Sequence, residues 1–390
     1  MPLDRRTFLK SSSLLGGAIG LGALPSLAGA LPAGGEPHMS DPADAAQGRS
    51  GAPLRILILG GTGFIGPEEV TYAVARGHKV TLFNRGKTNP ALFPNVERLQ
   101  GDRNAPGGVD ALKGRKWDVV IDNPTGKPQW IVDVAKVLEG NVGQFQYVSS
   151  TGVYADSDKV RPDESSPLLE LAPISGPEAD AAGYGSRKAR CEQLVQEAFP
   201  GKATIVRPGL IVGPGDLSDR FTYWPWRIEK GGEVLAPGEF SDPVQWIDVR
   251  DLTQWMVRLA ENGTMGEFNA VGPQVPAGIG DLLYGIKASY ANDTRFTWVP
   301  QPFLTEQKIR SWAEMPVWAH EGASTLAYCT SKIDRALAAG LTFRPLADTV
   351  REGMAWYHSR PADQQAKLRA GITLEREREV LAAWHAKKGD

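Results

Sequence analysis

The sequence predicts an α/β protein whose parallel sheet is covered by helices on both faces. Short, nearly continuous apolar segments indicate buried strands, and they occur at 54–59, 79–83, 117–121, 145–149 and 203–206. Segments with helical spacing lie between several of them, at 67–76, 129–139 and 181–199. Strands and helices that alternate at short intervals imply parallel pairing, because each crossover places a helix on one face of the sheet.

The N-terminus has the composition of an export signal. Paired arginines in DRRTFLK (4–10) precede an apolar run over 14–27 and small residues at 28–30 that fit a cleavage site. The segment resembles a twin-arginine (Tat) signal peptide, except that Asp4 stands where Ser or Thr is preferred. A membrane anchor or a disordered tail is the alternative, but the run is short and glycine-rich for a span. We expect export by the Tat machinery to the periplasm or the outside, with cleavage after Ala30.

The first predicted strand runs into a glycine-rich turn, GGTGFIG, which opens the first predicted helix. Gly60 suits the tight turn, Gly63 lets the backbone approach a pyrophosphate, and Gly66 lets helix and strand pack closely. The helix N-terminus then points at the phosphates. The candidate cofactor-binding residues of this turn are Gly60, Gly61, Thr62, Gly63, Phe64, Ile65 and Gly66.

The end of the second strand, FNRGK, bears on the choice between NAD and NADP. An acidic residue usually stands here when the cofactor is NAD, whereas this chain has Asn84 and Arg85. Asn84 can hydrogen-bond the ribose, and Arg85 or Lys87 can pair with a 2′-phosphate. Solvated loop charges are the alternative. Further along the chain, in GDRN (101–104), Asp102 is a candidate contact for the adenine edge.

Two stretches carry acid–base chemistry. YVSSTGVY (147–154) closes the strand predicted at 145–149, and YGSRK (184–188) opens a later helix. Tyr184 and Lys188 stand at i and i+4 and share one helical face. An ammonium beside a phenol lowers the phenol pKa and makes it a better general base. A Tyr-x-x-x-Lys pattern alone is common on protein surfaces, so the prediction depends on its order after the glycine turn and the serine strand.

These motifs, together with VRPGLIVGPGD (206–216) and QWIDVRDL (245–252), resemble an extended short-chain dehydrogenase/reductase of the NAD-dependent epimerase/dehydratase group. The resemblance covers about 54–358 and implies a Rossmann-type doubly wound sheet with a smaller C-terminal substrate-binding domain. It implies that Ser150, Tyr184 and Lys188 are catalytic, that Tyr184 is the acid/base, and that Lys188 also holds the nicotinamide ribose. The expected boundaries are a signal peptide over 1–30, a linker over 31–52, a Rossmann domain over 53–215, mainly substrate-binding segments with returns to the Rossmann domain over 216–365, and a C-terminal helix over 366–390.

Four further residues are candidate substrate contacts. Thr151 neighbours the catalytic serine, and Arg207 and Arg250 are candidates for a substrate diphosphate. FTYWPWRIEKGG (221–232) concentrates aromatic residues beside Arg227, as a sugar or base site does, and an ordinary helix packed by its aromatic side chains is the alternative. The five histidines lack metal-ligand spacing, so we infer no metal. Cys191 and Cys329 are expected to be buried free thiols.

The expected function follows from combining export with cofactor use. A dehydrogenase needs a nicotinamide pool to restore its cofactor, whereas an epimerase or dehydratase returns the hydride within one cycle. Export therefore favours an epimerase or dehydratase that acts on a sugar or sugar nucleotide. An NADP-dependent reductase of a small carbonyl compound and a non-catalytic nucleotide- or RNA-binding protein are the alternatives. The net charge of −2 and the lack of a basic, aromatic stripe argue against a nucleic acid partner. A second copy of this chain, forming a homodimer, is a candidate partner.

Overall fold

A computed structural model describes residues 51–123, 126–155, 161–319 and 329–389. The predicted Tat signal peptide and all but the last two residues of the predicted linker lie outside these ranges. Within them, no helix is both long and apolar enough to cross a membrane.

A seven-stranded parallel sheet forms the centre of the molecule. Its strands are β1 (Arg55–Leu59), β2 (Lys79–Asn84), β3 (Glu97–Gln100), β4 (Trp117–Asp122), β5 (Val142–Val148), β6 (Ala203–Pro208) and β10 (Gly266–Ala270). They lie in the order β10-β6-β5-β4-β1-β2-β3, and every neighbouring pair is parallel. The chain therefore winds outward in both directions from β1 and β4. The predicted α/β class is confirmed, and so is the Rossmann-type doubly wound sheet.

Helices cover both faces of this sheet. They are α1 (Gly66–Ala75) and α6 (Val249–Glu261) on one face, and α2 (Pro128–Leu138) and α4 (Tyr184–Ala198) on the other. Along β1, Ile56 and Ile58 join the core under the first pair of helices, while Leu57 and Leu59 join the core under the second. Both faces of a strand in such a sheet are buried, which explains why β1 is a continuous apolar run rather than an alternating one.

A second hydrophobic core lies in the C-terminal part of the chain. Its strands are β7 (Ile211–Val212), β8 (Glu233–Pro237), β9 (Pro243–Asp248), β11 (Gly272–Gly278) and β12 (Arg295–Val299), which form the small sheets β11-β9-β7 and β12-β8. The remaining helices are α3 (Pro177–Ala181), α5 (Tyr223–Glu229), α7 (Ile279–Lys287), α8 (Gln301–Glu306), α9 (Asp334–Ala338), α10 (Leu346–Ser359), α11 (Ala362–Gln365) and α12 (Leu374–Lys388). Buried tryptophans dominate this core, among them Trp224, Trp312 and Trp318.

The aromatic stretch FTYWPWRIEKGG belongs to this second core. Phe221, Tyr223 and Trp224 are all buried there, and the Trp224 indole donates a 2.7 Å hydrogen bond to the carbonyl of Pro316. The structure therefore supports the packing alternative for these three side chains, because they face the protein interior rather than a ligand.

Candidate active site

The glycine-rich turn lies at the carboxyl edge of the central sheet. The register pairs Leu59 with Phe83 on β2 and with Asp122 on β4, so the turn emerges between the ends of three strands. A Cβ on Gly66 would come within 2.4 Å of the Gly61 Cα, so only glycine allows α1 to begin against the turn. At Gly63, which is exposed, a Cβ would meet nothing within 4 Å. This open space at a helix N-terminus fits the pyrophosphate of a dinucleotide.

Two asparagines hold the turn in place. The Asn84 amide donates to the Gly60 carbonyl at 2.8 Å, and its oxygen accepts from the Gly86 N–H at 2.9 Å. The Asn89 amide donates to the Thr62 carbonyl at 3.0 Å. Asn84, which was expected to bind the ribose, is thus a support of the backbone turn. Asn89 was not predicted, because an asparagine in a loop is an ordinary turn residue in sequence.

Two cationic side chains, Arg85 and Lys87, follow the end of β2 and act on Asp102, which follows β3. The pKa of Asp102 is lowered chiefly by the backbone N–H of Asn104, and the charges of Arg85 and Lys87 lower it further. No carboxylate within ion-pair distance of Arg85 or Lys87 is found among the described residues. The end of β2 therefore presents two cations next to the glycine turn.

Ser150 and Tyr184 meet at the end of β5. Ser150 caps the short 3-10 turn Thr151–Val153 by accepting a 3.1 Å hydrogen bond from the Gly152 N–H, and its hydroxyl lies close enough to the Tyr184 phenol to lower the pKa of that phenol. A Cβ on Gly185 would lie 2.2 Å from the Gly152 carbonyl oxygen, so a glycine is needed for α4 to begin against this turn. The structure thus brings together the serine and tyrosine singled out in the sequence.

Lys188 lies one helical turn after Tyr184 and is buried. Its ammonium donates to the Val148 carbonyl at 2.6 Å and lies 5.9 Å from the centre of the Tyr184 ring and 4.8 Å from that of Tyr147. Burial lowers the pKa of Lys188 to about 8. The lysine is therefore anchored to the end of β5 beside the phenol.

The pKa of Tyr184 is raised above that of a free phenol, principally by burial. The nearby Ser150 hydroxyl and the charges of Arg220 and Arg187 act in the opposite direction. The sequence predicted instead that Lys188 would lower the pKa of Tyr184. The Lys188 ammonium is bound to the Val148 carbonyl, and burial makes its charged form costly. At neutral pH the phenol is protonated.

Arg220 was not predicted as a site residue. Its guanidinium lies 5.7 Å from the centre of the Trp312 ring, and its Nε donates to the Ser218 hydroxyl at 3.0 Å. Among the described residues, no carboxylate lies within ion-pair distance of it. The segment that leads to it passes over the site, since a Cβ on Gly209 would lie 3.8 Å from Thr151 Oγ1 and one on Gly215 would lie 3.2 Å from the Phe64 ring. The charge of Arg220 lowers the pKa of Tyr184, a relationship that only this tertiary path reveals.

Thr151 remains a candidate for a polar contact with substrate. It is buried, and its hydroxyl oxygen finds no hydrogen-bond partner in the described part of the chain. A buried hydroxyl without a partner costs free energy, so a polar ligand atom there would be favoured.

Arg207 was wrongly predicted as a diphosphate contact. It is buried, and its guanidinium donates to both oxygens of Glu192, at 2.7 to 3.2 Å, to the Tyr154 hydroxyl at 3.1 Å and to the Glu164 carbonyl at 3.2 Å. Ser149 donates to the same Glu192 carboxylate. These groups form a buried polar network that holds the guanidinium inside the protein.

Arg227 and Arg250 need the same correction. Arg227 is buried in the C-terminal core, where it pairs with Glu377 at 2.5 Å and donates to the carbonyls of Gly231 and Glu233. Arg250 is buried against Asp248, at 2.7 Å, and Glu352, at 2.8 Å. Each carboxylate compensates for the desolvation of a guanidinium, which is a structural role.

Comparison with known proteins places this site in context. A family model described as "NAD dependent epimerase/dehydratase family" matches residues 56–271, more than half of the chain. The chain is 28% identical over 225 residues to the chloroplast stem-loop binding protein of 41 kDa b of Arabidopsis thaliana, a match that covers 53% of this chain and 55% of that protein. It thus spans little more than half the length of this relative.

Two further comparisons concern enzymes. Identity is 26% over 270 residues with the 4-hydroxy-2-methyl-3-oxo-4-farnesyl-3,4-dihydroquinoline-1-oxide ketoreductase of Stigmatella aurantiaca, covering 61% of this chain and 76% of that protein. The UDP-N-acetylglucosamine 4-epimerase of Methanobrevibacter ruminantium M1, solved with UDP-N-acetylmuramic acid, superimposes with a TM-score of 0.58 at 15% identity, over 79% of this chain and 99% of that chain. This second likeness shows a common fold.

Proposed function

We propose that this chain, which belongs to the NAD dependent epimerase/dehydratase family, is an epimerase or dehydratase that acts on a sugar or sugar nucleotide. The family uses a nicotinamide dinucleotide as its cofactor. The observation that carries the proposal is the meeting of Ser150, Tyr184 and Lys188 at the end of β5, on the same sheet edge as the glycine turn. The sugar-nucleotide class is supported by a shared fold with the 4-epimerase.

Each residue of the site has a task in this reaction. The N-terminus of α1 and the open backbone at Gly63 would hold the pyrophosphate, and Lys188 would hold the nicotinamide ribose. When bound, the nicotinamide would supply reversible hydride chemistry at the carbon that carries the reacting hydroxyl. In its phenolate form Tyr184 accepts the proton of that hydroxyl and later returns it, while Ser150 would hydrogen-bond the same oxygen and fix its position.

Retention of the cofactor agrees with the proposed export. The Tat-type segment at 4–30 supports a protein that folds before it crosses the membrane, and a self-restoring reaction needs no nicotinamide pool outside the cytoplasm. Replacing Arg5 and Arg6 together by lysine should leave the precursor in the cytoplasm. Periplasmic protein from this double variant would rule out the Tat route.

A second candidate is an NADP-dependent reductase of a small carbonyl compound. Tyr184 is protonated at neutral pH, which suits donation of a proton to a carbonyl oxygen as the carbon receives hydride. The cations Arg85 and Lys87 suit a 2′-phosphate, and one relative is named a ketoreductase. The reductase would require a supply of reduced cofactor, so export counts against it.

The name of the Arabidopsis relative raises a third candidate, binding of stem-loop RNA. A net charge of −2 argues against it, because non-specific RNA affinity depends on clustered cations. A gel-shift titration with a stem-loop RNA at physiological salt tests it directly.

One experiment separates the first two candidates. The purified protein is denatured, and the released nucleotide is identified by mass and counted against protein. A stoichiometric dinucleotide supports the epimerase or dehydratase, whereas an empty protein that oxidises added NADPH with a carbonyl compound supports the reductase. The variant Arg85→Ala should weaken binding of NADPH and spare NADH if Arg85 reads the 2′-phosphate, and equal loss for both would remove Arg85 from the site.

A further inference from the structure

Glu69 is a carboxyl group buried in the first turn of α1, immediately behind the glycine turn. Its residue is 0% exposed, and its neighbours on the inward face of the helix, Val70 and Ala73, belong to the hydrophobic core. A carboxyl group at such a position costs free energy unless it is compensated or neutral. Neither the glycine motif nor the proposed reaction accounts for it.

The partner of Glu69 is Asn123, the residue that follows β4. The Asn123 amide donates to Glu69 Oε2 at 2.6 Å. Because Leu59 pairs with Asp122, Asn123 lies beside Gly60 at the sheet edge where the nucleotide would bind. The bond therefore connects the first turn of α1 with the end of β4.

One oxygen of each side chain in this pair lacks a hydrogen-bond partner among the described residues. These oxygens, Glu69 Oε1 and Asn123 Oδ1, are both buried. A carboxylic acid that faces a carboxamide can satisfy both atoms with one proton, because its O–H donates to the amide oxygen while the amide N–H donates to its carbonyl oxygen. A carboxylate leaves both oxygens as acceptors with no donor between them.

The electrostatic surroundings favour the neutral acid. Burial raises the pKa of Glu69 to about 8, and the Asn123 hydrogen bond, which acts downward, is the smaller influence. The charged groups on neighbouring elements are occupied elsewhere: Asp122 is held by Arg103, and Glu68 faces Arg250. Further charges on the α6 and α10 side, Asp248, Arg344 and Glu352, also act on Glu68, and Arg76 at the far end of α1 pairs with Glu261.

We propose that Glu69 is a positioning residue of the nucleotide site that works as a neutral acid, tying Asn123 and the end of β4 to the helix turn that receives the pyrophosphate. The inference rests on the assignment of the glycine turn as a dinucleotide site. Loss of the proton breaks the pair and places a negative charge behind the helix N-terminus, which opposes a second anion there. Nucleotide affinity should therefore fall at alkaline pH.

The test measures the dissociation constant of NADH between pH 6 and 9.5 at constant ionic strength for the wild type, Glu69→Gln and Glu68→Gln. Glutamine keeps the shape and both hydrogen bonds to Asn123 but cannot ionise. Lys188, with a pKa lowered to about 8, titrates equally in all three proteins, so the difference between profiles reports Glu69. From pH 7 to 9 the wild type and Glu68→Gln should lose about tenfold more affinity than Glu69→Gln.

A second readout does not depend on nucleotide. The infrared spectrum of the wild type at pH 7 should contain a protonated-carboxyl band that disappears by pH 9.5 and is missing from Glu69→Gln. Identical pH profiles for the wild type and Glu69→Gln, or no such band, would overturn the role of Glu69 while leaving the proposed function intact. A wild-type protein that binds no dinucleotide at any pH would overturn both.

Discussion

Ser149 and Ser150, adjacent at the end of β5, face different turns of α4: Ser150 lies beside Tyr184 at the start of the helix and lowers the pKa of its phenol, and Ser149 donates to Glu192 two turns later. One hydroxyl thus faces the reaction and the other belongs to the buried network around Arg207. The sequence SST offers three neighbouring hydroxyls, and this geometry distinguishes their roles.

Alanine at the two serines should therefore affect different properties, turnover for Ser150 and stability for Ser149. Ser150→Ala should lower turnover with little change in nucleotide binding, because its hydroxyl is placed to hold the substrate oxygen. Ser149→Ala should lower the free energy of unfolding by about 1–2 kcal/mol, since it leaves Glu192 short of a buried donor, and should keep turnover per folded molecule. Turnover and urea unfolding, measured on both variants, check the assignment; a normal rate for Ser150→Ala contradicts it.

Tyr184→Phe should separate proton transfer from binding. The ring and its packing remain, but the only atom that can exchange the proton is lost, so turnover should fall about 10²–10⁴-fold while nucleotide affinity is kept. Lys188→Ala should reduce both, because it also removes the proposed ribose contact. Nucleotide occupancy and turnover are measured side by side. Full activity in Tyr184→Phe would exclude this residue as the acid/base.

Gly63 and Gly66 form a matched pair for testing the cofactor site. A side chain on Gly63 meets no protein atom, so Gly63→Val should fold normally and lose more than about tenfold in dinucleotide affinity through collision with the pyrophosphate. Gly66→Ala should instead destabilise the protein, since its Cβ collides with the backbone of Gly61. Isothermal titration and thermal unfolding distinguish the two. Unchanged affinity in a folded Gly63→Val protein would remove the turn from the site.

Arg220→Gln should change the pH dependence of the reaction. The positive charge of Arg220 lowers the pKa of Tyr184, so its removal should raise that pKa. If Tyr184 acts as an acid, activity persists to higher pH; if it acts as a base, activity begins at higher pH. Either limb of the profile of kcat/KM therefore moves upward. Arg220→Lys, which keeps the charge, should retain the wild-type profile, and an unmoved profile in Arg220→Gln would show that Arg220 does not act on Tyr184.

The sequence predicted the sheet well where its signals are local. Continuous apolar runs identify β1, β2, β4, β5 and β6, because strands buried on both faces admit few polar residues. The edge strands differ: β3 reads ERLQ and β10 reads GEFNA, and neither has the pattern of a buried strand. Their place in the sheet depends on partners that are distant along the chain.

The same distinction separates the site residues. Spacing alone brings Tyr184 and Lys188 to one helical face, and the glycine pattern fixes a turn whose geometry is local. For an arginine, the decisive fact is whether a carboxylate reaches it, and the partner of Arg227 lies 150 residues away, at Glu377. Arg207, Arg227 and Arg250 were therefore overvalued as ligand contacts, and Arg220, which has no such partner among the described residues, was overlooked.

The position of β10 sets a limit on how this protein can be divided. Residues 266–270 complete the edge of the nucleotide-binding sheet beside β6, after the chain has already formed β7, β8 and β9 elsewhere. A single cut after β6 would leave that sheet without its last strand and α1 without the helix α6 that packs on it. To exchange substrate specificity with a related chain, two separate segments would have to be replaced, one that contains β7–β9 and one that begins at β11. The segment between them, from α6 to β10, would have to be retained.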